Sequence, residues 1–171
     1  MRVTRRAILL GAVGLATEPA ARAGQARAQP LFVVARSKNA NVVHYEARLC
    51  ASGRLDPEEP LVAYWIMHAE NGRREDLTWL ERRLAYGFES SLESGGEALR
   101  VRLRAFTRRV LHVRRGASGY RAEVPIGERP AVLERIFVCT DEGGMTPSVR
   151  YLELSGFALR DGARLHERIV P

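Results

Sequence analysis

The chain has 171 residues, 46% of them hydrophobic, and carries 27 Lys+Arg against 20 Asp+Glu, for a formal net charge of +7 and a pI near 10.2. That length holds one domain with a real core and excludes a second, and the hydrophobic content excludes a disordered chain. In residues 1–28 five arginines face Glu18 alone, which makes +4, and the +3 left over is ordinary for a soluble domain.

The first element in chain order is a leader. Arg2, Arg5 and Arg6 precede an apolar run from Ala7 to Ala16, and two A-x-A exits follow, Ala21-Arg22-Ala23 and Ala26-Arg27-Ala28. This is the layout of a cleaved export signal over 1–28. The run is shorter than the about 20 apolar residues that a membrane-spanning helix needs. Thr4-Arg5-Arg6-Ala7-Ile8-Leu9 resembles the twin-arginine translocation motif. It predicts a domain, residues 29–171, that folds before export to the periplasm or another exported location, with no transmembrane span in the mature chain. In an oxidising compartment Cys50 and Cys139 are able to form the single bridge that two cysteines permit. Two buried free thiols fit the sequence equally well.

The mature part reads mostly as strand. Leu31–Arg36 is a short apolar run, Val42–Leu49 alternates after Asn39-Ala40-Asn41, and Leu61–Met67 (LVAYWIM) has the composition of a central strand. One helix is expected from Arg73 to Ala85: Asn71-Gly72 marks a turn, Glu75 and Asp76 suit a helix start, and Leu77, Leu80 and Leu84 share a helical face. After Gly95-Gly96 the period falls to two. Arg100, Arg102 and Arg104 alternate with Leu99, Val101, Leu103 and Ala105, the pattern of a strand with one dry face. Strands at 109–115 and 120–124 flank Gly116-Ala117-Ser118-Gly119, and 131–140, 149–159 and 164–170 follow, with turns at Asp141-Glu142-Gly143-Gly144 and Asp161-Gly162. Eight to ten strands and one helix predict a mainly β domain, an antiparallel sandwich or partly closed barrel with one packed helix.

Two stretches concentrate polar chemistry, 36-RSKNANVVHYE-46 and 65-WIMHAENGRRED-76. On strand periodicity His44 and Glu46 share a face and Tyr45 points the other way. A cleft built from His44, Glu46, His68, Glu70 and Asp76 is the candidate for acid–base work. The bland alternative is a polar strand edge beside an Asn-rich turn, and it is preferred. No metal site and no cofactor are predicted: C-x-x-C, H-E-x-x-H, the P-loop, G-x-S-x-G and the dinucleotide fingerprint are all missing. The arginine row at 100, 102 and 104, with Arg108, Arg109, Arg114 and Arg115, is the candidate basic surface. Export and the scarcity of aromatic residues there argue against nucleic acid and for an anionic envelope component. Arginine itself supplies bidentate contacts to phosphate or carboxylate. Yet Lys38 is the only lysine, and a GC-rich coding sequence yields that ratio unaided.

The segments LFVVARSKNANVVHYE (31–46), PLVAYWI (60–66), EDLTWLERRLAYGF (75–88) and the terminal VRYLELSGFALRDGARLHERIVP resemble a bacterial family of exported proteins known only as a domain of unknown function. The resemblance implies a single compact domain behind an export signal, and it brings no substrate, cofactor or catalytic residue. It marks Arg36, Ser37, Asn39, Asn41, Tyr45, Trp65, Glu81, Tyr86 and Gly87 for attention. Arg36, Ser37, Asn39, Asn41, Tyr45 and Trp65 are the candidate ligand-binding residues. The leading reading is an exported, non-enzymatic domain that binds a small ligand or an envelope component. The alternatives are a hydrolase-like enzyme using His44 or His68 with Glu46 or Glu70, and a purely structural envelope protein. Oligomeric state is left open.

Overall fold

Alternating buried and exposed side chains build eleven strands in residues 27–141 and 148–171, which are the residues that the computed structural model describes. The leader expected over 1–28 falls almost wholly outside the described residues, as does 142–147 with most of the turn expected there. The strands are β1 (Arg27–Arg36), β2 (Val42–Leu49), β3 (Leu61–Met67), β4 (Arg73–Asp76), β5 (Phe88–Glu93), β6 (Ala98–Leu103), β7 (Phe106–Gly116), β8 (Gly119–Ile126), β9 (Arg129–Asp141), β10 (Ser148–Ala158) and β11 (Arg164–Ile169). The helix α1 spans Trp79–Leu84.

The strands form one open sheet in the order β4-β3-β2-β1-β9-β8-β7-β6-β5, with β10 on β9 and β11 on β10. The mainly β, incompletely closed architecture expected from the turn spacing is what the chain adopts. One described ladder departs from the antiparallel expectation: β1 runs parallel to β9, pairing Val33 with Arg135 through Arg36 with Val138. β10 pairs along β9 from Ala131 to Asp141, so β1 and β8 must share the opposite edge. The sheet forks there into two arms. Where β1 and β8 part, the Gln29 side-chain amide donates to the Tyr120 carbonyl at 2.7 Å and accepts from its N–H at 3.0 Å, standing in for a missing ladder rung.

The arms close on a single core. Val43, Tyr45 and Ala47 of β2 face Leu99, Val101, Leu111, Val113 and Ala122 of the β6–β8 arm, all essentially inaccessible to solvent. Tyr45 stacks on Phe32 (4.5 Å) and meets Phe88 of β5 edge-on (6.3 Å). As the alternation predicts, Leu99, Val101 and Leu103 are buried and Arg100, Arg102 and Arg104 are exposed.

The expected helix from Arg73 to Ala85 is corrected. Asn71 and Gly72 both take positive φ (57° and 73°) and end a single 3-10 turn, His68–Glu70, in the five-residue loop that joins Met67 to Arg73. Arg73–Asp76 returns as β4 along Met67–Tyr64. The helix starts only at Trp79, where the Thr78 hydroxyl accepts from the Glu81 N–H (3.3 Å) and the Glu81 carboxylate accepts from the Thr78 N–H (2.9 Å), a capping box. Leu77 is buried ahead of the helix, whereas Leu80 and Leu84 lie on its exposed face. The strand β5 was not foreseen in Phe88–Glu93, where three consecutive exposed residues, Glu89 to Ser91, break the alternation.

Candidate functional site

Strand parity sends Arg36, Tyr45 and Trp65 to the core side of the β1–β3 arm, toward the segment that follows α1. The Arg36 guanidinium lies 4.8 Å over the Trp65 ring, and Tyr86 meets that ring edge-on at 4.9 Å. The Trp65 indole N–H donates to Glu81 Oε1 (3.0 Å), and the Tyr45 hydroxyl donates to the Tyr86 carbonyl (2.7 Å). Burial pushes the Glu81 carboxyl up. The Thr78 backbone and hydroxyl, the Trp65 indole and the Arg36 charge outweigh that and hold it below the ordinary carboxylate range. Burial also raises the Tyr86 hydroxyl, opposed by Arg36 beside it. Five residues from three distant segments thus form one hydrogen-bonded cluster that fastens α1 to the sheet.

Among the candidate ligand-binding residues, Arg36, Tyr45 and Trp65 belong to this cluster, and Tyr45 (1% exposed) and Trp65 (5%) offer almost no surface. Ser37 and Asn39 shape the β1–β2 loop. The Ser37 Oγ accepts from the Thr140 N–H (3.2 Å), and the Asn39 Oδ1 accepts from the Asn41 N–H (3.2 Å) and lies 3.5 Å from the Arg36 Nε. Asn41 is buried, and its Oδ1 has no protein partner.

His44, Glu46 and Tyr64 occupy the opposite, outer side of the arm. The Tyr64 hydroxyl donates to Glu46 Oε1 (2.7 Å), its ring stacks on His44 (5.8 Å), and Arg74 covers it at 3.5 Å. Burial lowers the His44 pKa, Glu46 pulls it back up and His68 pushes it down. Burial and the bond to Glu46 raise Tyr64 to about 12. Of the four residues named for the hydrolase alternative, His44, Glu46 and His68 are therefore neighbours. Glu70 pairs with Arg73 at 2.5 Å. No group of three or more potential metal ligands exists among the described residues. The Glu46 carboxylate is engaged by a phenol rather than by a histidine, an arrangement that fixes Tyr64 in place. Cys50 and Cys139 are free thiols: Cys50 sits in a turn against the Ser52 hydroxyl (3.0 Å) and the Arg54 carbonyl (3.2 Å), and Cys139 lies opposite Tyr151.

A concave surface opens next to the cluster, where α1 crosses the gap between β3 and β5. It is a groove of about 310 Å³, lined by Ala63, Leu77, Trp79, Phe88 and Gly87 with Arg82, Arg83 and Arg104. Its volume lies at the lower end of the range of small-molecule sites. No carboxylate lines it. Arg82 is oriented by the bond from its Nε to the Leu77 carbonyl (3.0 Å), Arg83 lies 5.3 Å over the Trp79 ring, and Arg104 meets Glu89 at 3.2 Å. Gly87 lets the chain pass under the helix: a Cβ there would sit 1.7 Å from the Arg82 carbonyl oxygen. None of the candidate ligand-binding residues Arg36, Ser37, Asn39, Asn41, Tyr45 and Trp65 lines this groove. The signal that marks the groove is Thr78-Trp-Leu-Glu81, a capping box that carries exposed apolar residues, followed by Arg82-Arg83.

The expected arginine row is partly neutralised. Arg100 faces Glu93 (3.5 Å), Arg114 faces Glu123 (3.6 Å), and Arg109 is held at 2.6 Å by Glu167, whose carboxyl that bond lowers.

A family model described as a domain of unknown function (DUF4833) matches residues 32–168, most of the chain. The protein belongs to DUF4833. The DUF4833 span takes in the whole Arg36–Trp65–Glu81–Tyr86 cluster, the outer His44–Glu46–Tyr64 group and the groove under α1. No curated protein and no solved structure matches the chain.

Proposed function

We propose that this DUF4833 protein is an exported binding domain without catalytic activity. It takes an anionic amphiphile of the cell envelope, a phosphate or carboxylate head on an apolar body, in the groove under α1. The observation that carries this reading is a groove of about 310 Å³ whose wall holds three arginines, two aromatic rings and no carboxylate. Arginine forks suit phosphate and carboxylate, and Trp79, Leu77 and Phe88 supply the apolar floor. The leader-like residues 1–28 support an exported location, in which such amphiphiles are the abundant anions.

The test is native mass spectrometry and calorimetry with dihexanoyl phosphatidic acid, a soluble probe, on the wild type and on Arg83→Ala/Arg104→Ala. The wild type binds one equivalent, and the double variant binds about tenfold or more weakly. Equal affinity in the double variant, or no binding by the wild type, refutes the reading. Hydrolysis of the probe by the wild type would favour the enzyme alternative built on His44 and Glu46.

A further inference from the structure

The groove accounts for only part of the exposed surface of α1: Trp79, Arg82 and Arg83 line it, whereas Leu80 and Leu84 do not. Of its six residues, Trp79 is 69% exposed, Leu80 55% and Leu84 65%, and they adjoin one another on one protruding turn and a half. Single exposed leucines need no explanation; three large apolar residues gathered on one short helix mark an interaction surface. The helix does not protrude because it is loosely held. Its capping box, the Trp65–Glu81 bond and the Tyr45–Tyr86 bond fix it from beneath, so the apolar face is presented on a rigid base.

The charges around it choose the partner. Arg82 bonds only a backbone carbonyl and Arg83 lies on an aromatic ring, so among the described residues neither guanidinium meets a carboxylate. Glu81, the one acid on the helix, is turned inward to Thr78 and Trp65. A tryptophan and two leucines flanked by free arginines match an anionic lipid surface, where indole rings settle at the headgroup level and guanidinium groups meet phosphate. No described helix is long and apolar enough to cross a membrane, so contact at this place is with the surface.

We propose that α1 docks the protein on an anionic bilayer, with Trp79, Leu80 and Leu84 inserted among the headgroups and Arg82 and Arg83 on their phosphates. This deepens, and rests on, the reading of the groove as a site for an anionic amphiphile: docking would set the groove mouth against the lipid layer.

The experiment is vesicle binding by the full chain, with phosphatidylcholine alone and with phosphatidylcholine containing one-third phosphatidylglycerol, read by tryptophan emission and co-sedimentation. Trp65 is buried and Trp79 is exposed, so a blue shift reports Trp79. The expected result is a shift with the anionic vesicles only, weakened by salt and abolished in Trp79→Phe. Leu80→Ser/Leu84→Ser should bind about tenfold or more weakly, with an unchanged thermal melt because both side chains are already in water. The apolar run at residues 7–16 is common to all variants. Vesicle binding that the α1 variants leave unchanged therefore overturns the proposal, as does equal binding to neutral vesicles. Loss of vesicle binding in Leu80→Ser/Leu84→Ser with soluble-probe binding intact separates docking from the groove. A wild type that binds the soluble probe but no vesicle refutes docking alone; one that binds vesicles but no soluble probe refutes the groove reading alone.

Discussion

Replacing Glu81 with alanine tests how α1 is held. The substitution removes the acceptor of the Thr78 N–H and hydroxyl (2.9 and 2.8 Å), half of the capping box, and leaves the indole N–H of the buried Trp65 without its partner at 3.0 Å. Loss of a cap costs about 1 kcal/mol, and an orphaned, mostly buried donor about 1–3 kcal/mol. The two share one carboxylate and will not add fully, so the expected loss is about 2–3 kcal/mol, or roughly 5–12 °C in Tm for a domain of this size. Urea titration followed by circular dichroism measures it. The pH dependence carries a second check. The folded Glu81 carboxyl is held below its ordinary value, so its contribution is complete above the unfolded pKa and disappears as pH falls through the lowered folded value. Glu81→Gln, which keeps the shape and loses the charge, should therefore be less stable than the wild type at neutral pH and converge on it once the pH falls below the lowered folded pKa. A loss below about 0.5 kcal/mol in Glu81→Ala, or a Gln variant whose deficit is the same in acid, refutes the account of the cluster.

Gly87→Ala should destabilise by about 3 kcal/mol or more, because the new Cβ meets the Arg82 carbonyl oxygen at 1.7 Å and that oxygen belongs to the helix backbone; a wild-type urea midpoint would contradict it. Cys50 should be the faster of two titratable thiols with a disulfide reagent, since its bond with Ser52 lowers its pKa. Cys50→Ser should remove the fast phase, and a single slow phase in the wild type argues against this turn geometry. Processing is also constrained: Arg27 and Ala28 already pair with Leu49 and Arg48 in β1. The intact mass of exported protein is expected to match cleavage after Ala23, which leaves β1 whole, and a start at Gln29 would count against that.

What the sequence disclosed depended on range. The dry and wet faces of β6 follow from its two-residue period, and the hairpin glycines between β7 and β8 mark their own turn. The error at residues 73–85 was local too. Leu77, Leu80 and Leu84 have helical spacing, but Asn71-Gly72 is at once a turn signal and the strongest two-residue hairpin signal. Pairing with β3 took the first four residues into a strand. The helix that remained was capped at Thr78, a signal legible in Thr78-x-x-Glu81 and outweighed by the leucine spacing. By contrast nothing local foretells the parallel β1–β9 ladder, whose partners lie about a hundred residues apart. The site divides in the same way. Arg36, Tyr45, Trp65, Glu81 and Tyr86 stand out in the chain, yet only the folded sheet reveals that they are one cluster. The groove beside them needs β3, β5 and α1 together, with Arg104 from the turn after β6.

The fork at β9 sets the order in which the molecule can assemble. β1 borders β2 on one edge and waits for residues 135–138 on the other, and β8 waits for 129–132. The β2–β4 meander and the β5–β8 meander close only short loops and can form early. They join when a strand near the end of the chain arrives to hold both. Such distant closure is slow relative to hairpin formation. A ribosome must therefore release nearly the whole chain before β1 has both its neighbours.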